Sequence, residues 1–125
     1  NMKQPLYKSI ANKFQAMQSC NEAWQEIHEN GIEVLVANQM PSGSGIDAGT
    51  QFDFENSTPK KLVFTFSYHH MNENGYYEGW TDHKLIITPN LWSDFDMRIT
   101  GSNRNDCKEY FYQMFDYALR QEVDL

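Results

Sequence analysis

Four histidines, two cysteines and one glycine–serine segment are the parts of this chain with the plainest capacity for chemistry. His69, His70 and His83 lie near Glu73 and Asp82 in sequence, a donor set that suits a zinc-like ion if held about 2 Å from one point. Residues 61–70 and 77–88 read as two strands folded back about residue 74. That pairing sets His69 opposite Gly79, His70 opposite Glu78 and His83 opposite Thr65. His69 and His83 then share a face but stand about 14 Å apart, at about 3.4 Å per residue. A bulge moves a partner by a single residue, which does not close that gap. No metal is expected, and the histidines read as members of a solvated or interface face.

The segment Pro41-Ser42-Gly43-Ser44-Gly45-Ile46-Asp47 brings together glycines that let backbone amides approach a phosphate. It follows a helical pattern, precedes a strand and lacks the lysine of a phosphate-binding loop, so the plainer reading is a connection. Ser42 and Ser44 have no strand–turn–helix setting for a nucleophile. Cys20 and Cys107 have no assignable orienting partner and read as buried free thiols of a reduced protein, with a single disulfide between them as the alternative. No cofactor is expected.

Two further groups suit binding rather than catalysis. Tyr76-Tyr77-Glu78-Gly79-Trp80, with Tyr68 and His70 nearby, offers large stiff side chains with polar tips. Tyr76, beside the turn, is expected in solvent, and Trp80, in mid-strand, is expected to pack against neighbours. Glu22, Glu26, Glu29 and Glu33 recur at three- and four-residue steps, a line of carboxylates along one helix face. Such a line reads as a solvated face or as a surface for a basic partner.

The elements that must position these groups follow from periodicity. Leu6, Tyr7, Ile10, Phe14 and Met17 give helical spacing over 4–18. Ser19 and Glu22 have the spacing of a capping box opening a second helix over 20–38, with Gly31 in its middle. Strands are expected at 51–55, 61–70, 77–88 and 95–100, with Asn74-Gly75 at the tip of the long hairpin. A final helix over 104–121 carries an apolar stripe from Cys107 to Ala118. The expected fold is α+β: a two-layer sandwich in the order α-α-β-β-β-β-α, its four-stranded antiparallel meander packed against the helices.

The length of 125 residues suits a single domain over 1–125. The net charge of −7 disfavours direct nucleic-acid binding and docking on anionic membranes. No apolar run approaches a membrane span, and no secretory signal follows the N-terminus, so a cytoplasmic protein is expected.

Met40-Pro41-Ser42-Gly43-Ser44-Gly45-Ile46-Asp47-Ala48-Gly49-Thr50, His69-His70-Met71-Asn72-Glu73-Asn74-Gly75-Tyr76-Tyr77-Glu78-Gly79-Trp80-Thr81 and Thr100-Gly101-Ser102-Asn103-Arg104-Asn105-Asp106 resemble small uncharacterised proteins of bacterial prophages and mobile elements. The resemblance spans most of the chain and implies a bacterial or phage setting, with no activity to carry over.

These features point to a non-enzymatic accessory protein that binds another protein. The alternative is a small enzyme or small-ligand binder that uses the loop 41–50 and the 68–83 hairpin, with His70, Asp47 and Trp80 converging. Exposed sheet edges would also offer a surface for self-association.

Overall fold

The computed structural model describes residues 3–16, 36, 38–40, 50–58, 60–90, 94–101 and 108–124, with side chains 13–16 left aside. The acidic residues Glu22, Glu26, Glu29 and Glu33, the loop residues Ser42, Ser44 and Asp47, and both cysteines lie outside them.

The chain is α+β. Strand β1 (Gln4–Pro5) runs directly into helix α1 (Leu6–Ala16). Four strands follow: β2 (Gln51–Phe52), β3 (Leu62–Met71), β4 (Tyr77–Asn90) and β5 (Asp94–Gly101). Helix α2 (Lys108–Arg120) and strand β6 (Glu122–Val123) complete it. Strands β2-β3-β4-β5 form one antiparallel sheet in sequence order. The short β1–β6 pair joins the two ends of the chain, and the Leu6 amide donates to the Gln121 carbonyl at 2.9 Å. That bond satisfies one of the N–H groups that the start of a helix leaves open.

Alternation on β3 decides which face is buried. Leu62, Phe64 and Phe66 point inward with Leu85 and Ile87 of β4, into a core shared with α1 and α2. Leu6, Tyr7, Ile10 and Ala11 form the buried stripe of α1; Phe111, Met114, Phe115, Ala118 and Leu119 form that of α2. Both sets recur at helical spacing, so each helix buries one side only. Arg120 ties the end of α2 to the start of β5, bonding Asp116 at 2.9 Å and Asp94 at 3.1 Å with its guanidinium 4.8 Å over the Phe95 ring.

Three expectations about the strands are corrected. The first strand stops at Phe52 instead of reaching residue 55, because Asp53 organises a turn. Its carboxylate accepts from the Asn56 amide and side chain, and its carbonyl accepts from the Ser57 hydroxyl at 2.6 Å. The third runs past residue 88 through Pro89 to Asn90. The Ile99 amide turns away from β4 to the Tyr112 hydroxyl at 3.2 Å, so its partner Leu85, and Pro89 four pairs further on, direct their own backbone toward β3. Strand β3 begins only at Leu62, and the missing N–H of Pro89 costs no ladder bond. The same Tyr112 bond, with the Phe95 amide taken by the Asp94 carboxylate, blunts the free edge of β5 against a further strand.

The register of the long hairpin is the third correction. Lys84 faces Thr65, His83 faces Phe66 and His69 faces Trp80, one residue off the expected pairing. The cause is a β-bulge near the tip. Between the pairs His69↔Trp80 and Met71↔Tyr77, Glu78 and Gly79 of β4 stand against His70 alone. Gly79 has φ of 109°, a backbone state that side chains resist, which is why glycine stands there. At the turn, the Asn72 carboxamide oxygen accepts from the Asn74 and Tyr76 amides, each at 2.9 Å.

Gly101 meets a different constraint. A Cβ built there would lie 2.5 Å from the His83 ring nitrogen and 2.6 Å from the Asp82 carbonyl oxygen. The carbonyl is backbone within β4 and cannot swing aside as a flexible side chain could. A Gly101→Ala variant is expected to lose about 1–3 kcal/mol of stability, seen as a lower denaturant midpoint with an unchanged slope.

Candidate functional site

The register separates the histidines onto the two faces of the sheet. His83 lies on the inner face at 3 % exposure, stacked on Phe66 with ring centroids 5.1 Å apart and edge-on to Phe111 at 5.1 Å. Its Nδ1 is buried with no hydrogen-bond partner among the described residues. His70 also lies inward, with Nε2 bonded to the buried Thr81 hydroxyl and its ring edge-on to Tyr68. His69 is exposed on the outer face. The expectation that His69 and His83 share a face is therefore overturned by the bulge. Among the described residues no three metal-ligating side chains come together.

Burial holds His83 below the ordinary imidazole range, His70 and Lys108 push the same way, and Asp82 opposes them. The folded chain thus binds a proton on His83 less readily than the unfolded chain. Stability is full above the unfolded value near 6.5 and declines as pH falls from there toward the folded value. Asp94, held low by the Phe95 amide and by Arg120, loses its contribution only below the carboxylate value of 3.8. The two windows are separate. Between about pH 7.5 and pH 5.5 the thermal midpoint is expected to fall in the parent. A His83→Leu variant, close to imidazole in volume, is expected to show a flatter profile over the same range.

The outer face has another character. Beyond Gly101, which pairs with His83, strand β4 has no partner on the β5 side among the described residues, and β2 reaches only Phe64 and Thr65 of β3. Ser67 to Asp82 thus forms an arm in which β3 and β4 pair with each other. The arm's strands are about 17 Å long, at about 3.4 Å per residue. Its inner side is covered at the base by Phe111, whose ring lies 5.3 Å from Tyr68.

On the arm's outer side stand His69 and Met71 of β3 with Trp80 and Tyr77 of β4. Tyr77 and Trp80 are three positions apart, a spacing that a regular strand sends to opposite faces. The extra residue of the bulge returns both to one face. The His69 and Tyr77 rings meet edge-on at 5.5 Å. Met71 is 57 %, Tyr77 53 % and Trp80 61 % exposed, with Tyr76 at the turn 70 % exposed. Trp80, expected to pack, is among the barest large side chains, and no described element crosses the arm's outer side. Glycine within a strand pattern was the sequence signal for the bulge that put it there.

Further along the outer face, Ser67 donates to Asp82 at 2.7 Å, and Lys84 lies 3.7 Å from Asp53. Thr65 and Gln51 join them around a shallow depression of about 420 Å³. Lys84 and Asp53 offset each other there, whereas Asp82 is met by the neutral Ser67 hydroxyl rather than by a cation among the described residues. His70 and Trp80, expected to converge in the ligand-binding alternative, point to opposite faces. No helix among the described residues is long and apolar enough to cross a membrane. No family model, curated protein or solved structure matches the chain.

Proposed function

We propose that this chain is a protein-binding module, a cytoplasmic accessory protein of a bacterial mobile element, whose contact surface is the outer face of the Ser67–Asp82 arm. The observation that carries the reading is the joint exposure of Met71, Tyr77 and Trp80 on one face of an element projecting past β5. Three large apolar side chains held together in water are costly unless a partner covers them, and such patches mark interaction sites. Tyrosine and tryptophan supply large, stiff contact area at low entropic cost and are enriched in binding hot spots, and methionine adds an adaptable, polarizable surface. The core of the domain is read as a two-layer sandwich in the order α-α-β-β-β-β-α, flanked by the short β1–β6 pair. Helical Val36 and Asn38, with Val36 fully buried in the core, support a second helix ending there.

The test is paired capture from a bacterial lysate with the parent and a Tyr77→Ala, Trp80→Ala variant. A stoichiometric partner held by the parent and lost by the variant is the expected result. Equal capture by both, or none by the parent, contradicts the reading.

A further inference from the structure

The charges around the arm narrow the chemistry of its partner. Between Ser67 and His83 the chain has no lysine and no arginine, whereas Glu73, Glu78 and Asp82 are all present and exposed. Asp82 shares the outer face with Trp80, two positions along β4, about 7 Å away. Tyr77 lies one row beyond Trp80 on the side away from Asp82, so it is next to Trp80 that an exposed carboxylate offers a cation two kinds of attraction at once, ionic and cation–π.

Resting on the protein-binding reading above, we propose that the arm's outer face takes an extended, arginine-bearing segment of the partner. A guanidinium lies against the Trp80 ring and turns its N–H groups toward Asp82, while the segment runs on over Tyr77 and Met71. Arginine fits better than lysine because its flat, weakly hydrated group stacks on a ring while still donating hydrogen bonds at its edge. Other occupants match less well. A single-stranded nucleic acid would stack on the same rings, but its phosphates need cations, and the arm has none. A second copy would bring three carboxylates against three, in a chain of net charge −7.

The experiment follows the three tryptophan indole N–H signals of the ¹⁵N-labelled full chain by NMR. The Trp80 signal is assigned by its loss in Trp80→Phe. The probes are a short arginine–glycine repeat peptide and the same peptide with citrulline, which keeps the shape and removes the charge. The arginine peptide is expected to shift the Trp80 indole and the arm amides, and the citrulline peptide to bind at least about 10-fold more weakly. An Asp82→Asn variant is expected to weaken the arginine peptide about 3- to 10-fold, and added salt to do the same. Equal binding of both peptides, shifts confined to residues outside the arm, or no shift at about 5 mM peptide overturns the proposal. If lysate capture still depends on Tyr77 and Trp80 in that event, the arm binds a partner of other chemistry and the protein-binding reading stands. If capture does not depend on them, that reading falls too.

Discussion

Replacing Tyr77 and Trp80 together by alanine is expected to weaken partner binding about 100-fold or more while the fold survives. Truncating a central aromatic anchor commonly costs about 2 kcal/mol or more of binding energy, and these two sit side by side on one face. Their contribution to stability is smaller. Both are more than half exposed, so alanine opens no cavity and removes only cross-strand contacts such as the Tyr77–His69 ring pair. Such pairs are worth about 0.2–1 kcal/mol each. Thermal unfolding of the variant should therefore stay cooperative, with a midpoint only a few degrees below the parent. Binding titrations against the captured partner supply the other half of the comparison.

Phe111→Ala is expected to show the opposite pattern, with a loss of about 3–5 kcal/mol of stability. The ring is 1 % exposed and lies 5.4 Å from Phe66, 5.3 Å from Tyr68 and 5.1 Å from His83. It is the contact through which α2 covers the base of the arm. Against a typical domain stability of about 5–15 kcal/mol, its removal leaves little margin. A denaturant titration measures the loss. The cavity should also admit water to His83, so the decline in stability below about pH 6.5 should be shallower in this variant than in the parent.

The parts of this fold that were legible in the sequence are those where one face is buried. Leu62, Phe64 and Phe66 alternate so regularly that β3 could be placed within a residue or two, and Phe111, Met114, Phe115 and Ala118 marked the buried side of α2, whose end at Arg120 lies one residue from the expected 121. The parts that were hidden depend on single backbone events. Asp53 captures the Asn56 amide and ends β2 early, although Phe52 and Phe54 keep the alternation of a strand. Gly79 inserts one residue into β4 and so reverses the face of everything toward the tip. The bulge left His83 inside, where the regular register had set it beside Thr65 on the outer face. It also brought Tyr77 and Trp80 together. The β1–β6 pair, two residues to a strand, is too short for any periodic signal.

Hydroxyl-radical footprinting of the complex with the captured partner shows on which face of the molecule the partner sits. In the free chain Met71, Tyr76, Tyr77 and Trp80 are oxidised readily, being exposed side chains of reactive types. Tyr110 and Tyr117 on the solvent side of α2, 43 % and 55 % exposed, serve as internal references. Met71, Tyr77 and Trp80 are expected to become protected in the complex while Tyr110 and Tyr117 react as before. Protection of the α2 tyrosines with an unchanged rate at Trp80 and Tyr77 would contradict that expectation, placing the partner on the helical side of the molecule.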